Sequence, residues 1–310
     1  MTSPLVAITG PTASGKSGLA IDLAREFGGE IMNCDAMQVY RHFDIGTAKL
    51  PNEQRGGIPH HLIDVVEGSK GFTAGDYQRL GRVVLQEIRE RGNVPFVVGG
   101  TGFYLRALLD GLSPAPGQNA ELRRNLLARE QRRHGTLARI LRRWDPAAAR
   151  RIAARDVPKL IRAIEICILS SHSPSNPPPR ERLQGFRVMK LGLFPPRPEL
   201  YDRINERCVQ MMEGGLIEEI EGILRWGIPR DAKALGALGY KQGLAVLEGR
   251  MSRKDALNVM QQDTRRYAKR QVTWFRHEPG MTALDGFGWD PAVLEQARAQ
   301  IRSWLLTKEG

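Results

Sequence analysis

The stretch Leu5–Ser17, LVAITGPTASGKS, decides the fold. It begins with a β-rich apolar run, Leu5–Thr9, and ends in GPTASGKS at Gly10–Ser17, which fits the spacing G-x-x-x-x-G-K-[ST] of a phosphate-binding loop. Apolar residues then recur at helical spacing from Ser17 to Phe27. The loop therefore joins a strand to a helix, the context in which successive backbone N–H groups can point at one anion.

We predict that the whole loop binds phosphate through Gly10, Pro11, Thr12, Ala13, Ser14, Gly15, Lys16 and Ser17. Lys16 is expected to place positive charge on the outer phosphates, and Ser17 to offer its hydroxyl to Mg²⁺. The pattern does not say whether the ligand is a nucleoside triphosphate or another pyrophosphate. The alternative is a glycine-rich turn that binds nothing.

Strands and helices alternate through the first third of the chain. Further strands are predicted at Glu30–Cys34, Leu62–Val66 and Val94–Val98, and Thr73 with Asp76 resembles a capping box that opens a helix. A second glycine-rich turn, Gly99–Gly102, follows the third of these strands. Such alternation predicts an α/β protein with a mostly parallel, doubly wound sheet.

Positive charge is concentrated in one part of the chain. The 310 residues carry 46 Lys/Arg and 34 Asp/Glu, and residues 118–198 alone hold 18 of the former against 6 of the latter, which equals the whole net charge of +12. Most of this stretch has a helical pattern, interrupted by a proline-rich loop at 170–179 and followed by a strand at Phe186–Phe194. A basic insertion of this kind suits a polyanion such as nucleic acid, although a solvated helical face that aids solubility is the alternative.

We therefore divide the chain into a first core part at 1–117, a basic helical insertion at 118–198 and a helical C-terminal part at 199–310 that completes the core. The apolar runs are too short for a membrane span, the N-terminus lacks a secretory pattern, and the three cysteines match neither a zinc site nor a disulfide framework. We expect a cytoplasmic monomer that does not contact membranes.

Asp35 follows a predicted strand near the phosphate loop. Parallel sheets bind ligands at the carboxyl ends of their strands, so this carboxylate is a candidate general base. A loop cap is the alternative for Asp35, and a helix N-cap is the alternative to a functional hydroxyl for Thr101.

Several motifs beyond the loop resemble the tRNA dimethylallyltransferases of the bacterial IPP transferase family. They occur in the family's order at Asp35–Arg41, Asp44–Lys49, Pro59–Asp64, Val98–Tyr104, Arg162–Glu165, Leu238–Gln242 and Thr264–Arg276. The phosphate loop alone is shared by very many proteins, but the whole set is specific. The resemblance implies a P-loop NTPase-like core carrying a strongly basic, helical, tRNA-binding insertion.

The resemblance also implies a reaction. The loop would hold the diphosphate of dimethylallyl diphosphate with Mg²⁺, and the exocyclic amine of an adenosine in the tRNA anticodon stem-loop would displace it. Asp35 matches the family's general base, Thr101 its hydroxyl beside the reacting centre, and Lys16 completes the predicted catalytic set. The tRNA-binding positions that we predict are Asp35, Ala36, Met37, Gln38, Thr101, Arg123, Lys159, Leu160, Ile161, Arg162, Ala163, Arg265, Lys269 and Arg270.

The chain departs from the family pattern in several places, and Ala154-Arg155-Asp156 replaces its usual Pro-Asn-Asp. Ala36 stands where the family usually has Ser, and Lys159 where it usually has Arg. Gly236 occupies a place where some members carry an Arg or Gln that supports the pyrophosphate, so Lys233 or Lys241 is a candidate substitute. Near the last basic positions, Trp274 and Phe275 are either stacking platforms for RNA or core residues, and we favour the core.

Other functions remain open at this stage. One is a small-molecule prenyltransferase that uses free AMP, and another is a P-loop kinase that phosphorylates a metabolite. The basic insertion disfavours the first, because a mononucleotide does not need so broad a cationic surface. A non-catalytic RNA-binding ATPase is the third and least favoured alternative.

Overall fold

The computed structural model describes residues 2–307, and within them the chain forms two compact units. The sheet unit runs to Leu109 and resumes at Leu183, and the helical unit is Asp110–Arg182. These boundaries differ from the predicted ones at 117/118 and 198/199, because the strand at Phe186–Leu193 pairs within the sheet, as its alternating pattern suggested.

Six strands and twelve helices are defined in chain order. The strands are β1 (Ser3–Thr9), β2 (Gly29–Asn33), β3 (His60–His61), β4 (Val94–Gly99), β5 (Phe186–Leu193) and β6 (Met281–Leu284). The helices are α1 (Lys16–Glu26), α2 (Ala74–Glu90), α3 (Gly102–Asp110), α4 (Ala120–Arg132), α5 (Thr136–Trp144), α6 (Pro146–Arg151), α7 (Val157–Leu169), α8 (Arg197–Glu213), α9 (Leu216–Arg225), α10 (Tyr240–Leu247), α11 (Arg253–Arg276) and α12 (Pro291–Leu306).

The six strands form one parallel sheet in the order β3-β2-β4-β1-β5-β6. The chain builds β2 and β3 on one side of β1, returns through β4, and then builds β5 and β6 on the other side. A reversal of this kind opens a crevice at the carboxyl ends of the central strands. The phosphate loop follows β1 and therefore lies at that crevice.

Both faces of the sheet are covered. Along β1, Leu5 and Ala7 face one apolar cluster and Val6 and Ile8 face the other, as the two-residue period of a strand requires. Helices α1 and α12 supply the cluster around Val6, while α2, α3 and α8–α11 supply the cluster around Leu5. Burial on both faces explains why β1 and β4 read as continuous apolar runs.

Local sequence signals hold at several helix starts. Thr73 and Asp76 form the predicted capping box of α2, and Asp156 caps α7 by accepting from the backbone N–H of Lys159. The strand predicted at Leu62–Val66 is wrong. Only His60–His61 pairs with β2, because Leu62 and Asp64 adopt positive φ angles of 59° and 56° that cannot continue a strand.

The helical unit contains α4–α7 packed around a small apolar core. Its net charge is +8, from 15 Lys/Arg and 7 Asp/Glu. The Glu165 side chain is fully buried in this unit and accepts hydrogen bonds from Arg123 (2.7 and 2.9 Å), Arg162 (2.6 Å) and the backbone of Asn119 (2.7 Å). Burial opposes ionisation, but these donors outweigh it and hold the pKa of Glu165 at about 2.

Among residues 2–307, no helix is both long enough and apolar enough to cross a membrane.

Candidate active site

The phosphate loop is held from two sides. Gly15 has φ +83°, and a Cβ atom there would lie 2.6 Å from the Trp289 ring, so only glycine fits. The backbone N–H of Gly288 donates to the carbonyl of Ser14 (2.8 Å). The segment before α12 therefore braces the loop from outside.

Gln271 of α11 ties the phosphate loop to the second glycine-rich turn. Its Oε1 accepts from the backbone N–H of Thr12 (2.9 Å), and its Nε2 donates to the carbonyl of Gly100 (2.8 Å). A Cβ on Gly100 would lie 2.2 Å from that Nε2, which explains the glycine. Because Gln271 is buried, these bonds fix the spacing of the loops that follow β1 and β4.

Lys16 in the phosphate loop and Arg207 beside the loop have no counter-ion among the described residues. Lys16 Nζ donates to the Pro11 carbonyl (2.6 Å), and Arg207 of α8 donates to Thr12 Oγ1 (3.2 Å) and to the Thr47 carbonyl (3.5 Å). Within residues 2–307 neither forms an ion pair with a carboxylate. Burial, followed by the Arg207 charge, lowers the pKa of Lys16 to about 7, although Asp35 acts in the opposite direction. This pair of cations is suited to an anion that carries more than one charge.

Asp35 lies at the end of β2, in a turn fixed by its neighbours. Its Oδ1 accepts from the backbone N–H of Met37 (2.8 Å), and its own N–H donates to Asn33 Oδ1 (3.1 Å). Asn33 is held in turn by the Leu62 carbonyl (2.9 Å). Asp35 thus caps its loop through one oxygen and also lines the cavity beside Lys16, so the two sequence interpretations are compatible.

Thr101 bonds across to the Asp35 loop. Its Oγ1 accepts from the backbone N–H of Ala36 (3.0 Å), and its hydroxyl is hydrogen-bonded to Tyr267 of α11. Thr101 directly precedes α3 and its carbonyl accepts from the Leu105 N–H (3.2 Å), but its hydroxyl binds the neighbouring loop instead of capping the first turn. Burial raises the pKa of Tyr267, so the phenol keeps its proton.

Lys16, Arg207, Asp35 and Gln271 line one cavity of 390 Å³, whereas Thr101 lies outside its lining. Thr12, Ser17, Tyr267 and Arg270 are among its other polar lining residues. Its apolar lining includes Met37, Val98, Ile204, Met211, Leu238 and Met260. The cavity therefore combines cations and a carboxylate with apolar surface that suits a small hydrocarbon group.

The substitutes suggested for the missing basic residue are not at the site. Lys241 pairs with Asp263 (2.7 Å) and Lys233 is exposed, and neither lines the cavity. Arg207 lies there instead. The sequence does not single out Arg207, because its pattern is that of an exposed arginine on a charged amphipathic helix. Only the packing of α8 brings Arg207 to the loop.

The predicted RNA-binding positions fall into distinct environments. Met37, Gln38 and Arg270 line the cavity, Ala36 is half-buried beside it, and Lys269 is exposed on another face of α11. Arg265 donates to the side chain of Asn205. Phe275 is buried and Trp274 packs beneath the guanidinium of Arg106, which confirms the interpretation of both as core residues.

In the helical unit, the predicted positions differ in exposure. Leu160, Ile161 and Ala163 are buried in the core of that unit, so their side chains stabilise α7. Arg123 and Arg162 bind Glu165 and stay about one-third exposed, and Lys159 is exposed beside Asp156 (2.7 Å). The exposed basic surface lies instead on arginines of α4–α6, including Arg124, Arg129, Arg139, Arg142 and Arg150.

Ser17 is the predicted metal ligand, and it lines the cavity beside Lys16. The part of the chain that is described contains no cluster of three or more His, Cys, Asp or Glu side chains able to hold a metal. Mg²⁺ at phosphate sites commonly takes one or two protein oxygens and completes its shell with phosphate and water. Ser17 fits that requirement, because its hydroxyl can supply one such oxygen.

The chain is an α/β protein with a glycine-rich loop at a strand–helix junction. Two unpaired cations and a carboxylate that line one cavity beside this loop are typical of an enzyme site that binds phosphate. A family model described as IPP transferase matches residues 38–278. The chain is 50% identical to the tRNA dimethylallyltransferase of Solibacter usitatus (strain Ellin6076) over 304 residues, which cover 97% of this chain and 99% of that relative.

Solved structures agree with this match. The full-length tRNA isopentenylpyrophosphate transferase from Bacillus halodurans superposes with a TM-score of 0.73 at 38% identity, covering 98% of this chain and 97% of the other. A eukaryotic dimethylallyltransferase acting on tRNA gives a TM-score of 0.80 at 25% identity, with 98% and 80% coverage. The chain belongs to the IPP transferase family.

Proposed function

We propose that this protein transfers the dimethylallyl group of dimethylallyl diphosphate to the N6 amine of the adenosine 3′ to the anticodon in tRNA, releasing pyrophosphate. One observation carries the proposal above the others. Thr12, Lys16 and Ser17 of the phosphate loop line one cavity together with the unpaired Arg207, Asp35 and several apolar side chains. A diphosphate ester of a short hydrocarbon matches a cavity that combines cationic and apolar groups.

The finer description of the fold belongs to the same proposal. We take the sheet unit as a P-loop NTPase-like, doubly wound core and the helical unit as an insertion that binds tRNA. The strand order and the position of the loop after β1 support the first assignment. The charge of +8 over Asp110–Arg182 supports the second.

Leaving-group stabilisation is assigned to the loop and the two cations. Breaking the allylic C–O bond places the bonding electron pair on the diphosphate, so negative charge develops where Lys16 and Arg207 converge. Backbone N–H groups at the start of α1 add fixed dipoles. Because Gln271 and Trp289 brace the loop, little reorganisation is needed when that charge forms.

Asp35 is assigned to remove the proton. The adenine N6 lone pair forms the new bond to the allylic carbon, and one N6 proton passes to the Asp35 carboxylate. Met37 N–H holds one oxygen of Asp35, and no residue among 2–307 donates a hydrogen bond to the other oxygen, which is left for the amine. Thr101, bonded to the Asp35 loop and to Tyr267, keeps the carboxylate and the second glycine-rich turn in register.

Mg²⁺ is proposed as the cofactor, held by the Ser17 hydroxyl together with the diphosphate. It would supply further positive charge to the leaving group.

Transfer assays separate the proposal from its alternatives. Wild-type protein is incubated with an anticodon stem-loop and either labelled dimethylallyl diphosphate or labelled ATP. Label in the RNA from the first and no phosphoryl transfer or hydrolysis from the second is the expected result. Label in added AMP would favour the small-molecule prenyltransferase, and turnover of ATP would favour the kinase or the RNA-binding ATPase.

A further inference from the structure

A second cavity of the sheet unit lies on a different face of α11 from the active-site cavity. It has a volume of 370 Å³ and is lined by α11 and by the segment that leads from β5 into α8. Lys269 lines this second cavity, and the next residue, Arg270, lines the active-site cavity. The two cavities therefore border different faces of α11. We call it the α11 cleft, defined by Phe194, Arg197, Tyr201, Lys269, Thr273 and Arg276.

The cleft combines positive charge with aromatic faces. Arg276 lies over the Phe194 ring at 5.7 Å, and Arg197 lies over the Tyr201 ring at 5.0 Å while donating to its hydroxyl (2.9 Å). Within residues 2–307, Arg197, Lys269 and Arg276 form no ion pair with a carboxylate. Asp285 is the one acidic side chain in the lining, so the cleft keeps an excess of positive charge.

We propose that the α11 cleft binds one unpaired nucleotide of the RNA substrate, next to the adenosine that enters the active-site cavity. This inference rests on the proposed function. Planar guanidinium groups and aromatic rings are the surfaces on which unstacked bases lie, and cations without acidic partners bind the adjoining phosphate. A volume of 370 Å³ suits one nucleotide better than a protein segment.

Continuity of the RNA chain explains the position. A strand that places one base in the active-site cavity must carry its neighbouring nucleotides past the mouth of that cavity. Lys269 and Arg270 are consecutive on α11 and line the two cavities, so the cleft lies on the neighbouring face of the helix that borders the active-site cavity. The cleft would then help to hold the loop open and to set which adenosine is presented.

The test fills the cleft without changing its charge. Thr273 is exposed in the lining, so Thr273→Trp should fold normally and occupy the space of the base. Gln262→Trp, on an exposed part of the same helix, is the matched control. Binding of a fluorescent anticodon stem-loop is measured alongside the KM for dimethylallyl diphosphate. We expect Thr273→Trp to weaken RNA binding about tenfold, with that KM and the control unchanged.

Abasic scanning identifies the occupant. Each unpaired loop nucleotide is replaced in turn by an abasic one; in wild-type protein one replacement next to the target should weaken binding by a similar factor. In Thr273→Trp that replacement should cost nothing further. Equal affinity of Thr273→Trp and wild type, or additive losses at every loop position, would overturn the proposal. Failure of the proposed function is distinguishable, because wild-type protein would then not prenylate the intact stem-loop.

Charge supplies an independent measurement. Arg276→Ala should lower the slope of log Kd against log salt concentration by about one, because one phosphate contact is lost. Lys254→Ala, an exposed cation at the start of α11, is expected to leave the slope unchanged. Equal slopes for Arg276→Ala and wild type would remove the phosphate contact from the proposal.

Discussion

Lys16 and Arg207 lie close together in a half-buried site. The positive charge of each side chain disfavours the charged form of the other. Burial and the Arg207 charge lower the pKa of Lys16 to about 7. An arriving diphosphate reverses both effects, since it supplies negative charge to the pair. Ligand binding should therefore be coupled to protonation of Lys16.

The first prediction concerns that proton. Above pH 7 the free protein holds Lys16 mostly neutral, and the bound anion raises its pKa, so binding should take up a proton and affinity should fall as pH rises from about 7 to 9. Titration calorimetry with inorganic pyrophosphate at pH 8, in buffers of different ionisation enthalpy, measures the uptake. Wild type should take up nearly one proton more than Lys16→Met. Identical proton uptake in the two proteins would contradict this account.

A second prediction concerns Tyr267. If its hydroxyl acts by orienting Thr101, then Tyr267→Phe should lower kcat about three- to tenfold, the scale of one neutral hydrogen bond, with KM for dimethylallyl diphosphate little changed. The same change made in Thr101→Ala should have no further effect. Gln262→Leu, on the exposed face of α11, serves as the control. Full additivity of the two active-site changes would show that Tyr267 does not work through Thr101.

At the scale of elements, α11 is the part that assembles the site. It carries Tyr267, Arg270 and Gln271, and Gln271 joins the loops after β1 and β4. The strands β1 and β4 are neighbours in the sheet. The loops that follow them are therefore joined by a helix that comes much later in the chain.

The third prediction tests this link. Gln271→Leu leaves the partly buried N–H of Thr12 and the buried carbonyl of Gly100 without partners, which should lower the free energy of unfolding by about 1–3 kcal/mol. Pyrophosphate affinity should fall about tenfold, because the loop loses its fixed spacing. Chemical denaturation and calorimetry provide the two values, with Gln262→Leu on the exposed face as control. If Gln271→Leu is less stable but binds pyrophosphate as tightly as wild type, then Gln271 contributes to packing and not to the spacing of the loop.

Elements with strong local signals were predictable from sequence. The phosphate loop and the capping box of α2 lie where the pattern placed them. The prediction of a strand at Leu62–Val66 was wrong because residues with left-handed backbone conformations interrupt the apolar run. The sequence does not predict β6, because its four residues alternate too little to give a periodic signal. Within the candidate site, Asp35 and Lys16 follow from motifs. Arg207 depends on tertiary packing that local patterns do not encode.

At the scale of the whole molecule, the chain divides into two compact units with separate cores. The helical unit is small and depends on the buried Glu165, which neutralises Arg123 and Arg162. Its folded-state pKa of about 2 lies below the ordinary value of 4.5. The carboxylate therefore contributes stability above about pH 4.5, and that contribution is lost as pH falls towards 2.

The fourth prediction follows from this division. Glu165→Ala leaves two arginines without their partner and should destabilise the helical unit by about 3–5 kcal/mol. Hydrogen exchange should then show lost protection within Asp110–Arg182, while pyrophosphate binding by the sheet unit persists. Loss of protection across β1 and β4 to the same extent would show instead that the two units unfold as one.

The central claim is that the cavity joins a hydrocarbon diphosphate to an adenosine amine, with Asp35 accepting the proton. Mass spectrometry of nucleosides from tRNA incubated with the protein, Mg²⁺ and dimethylallyl diphosphate tests it most directly. The account predicts one adenosine, 3′ to the anticodon, that is heavier by a dimethylallyl group less one hydrogen. Asp35→Asn should reduce that product by several orders of magnitude while retaining RNA binding. Unmodified tRNA with wild-type protein, or undiminished product with Asp35→Asn, would contradict it.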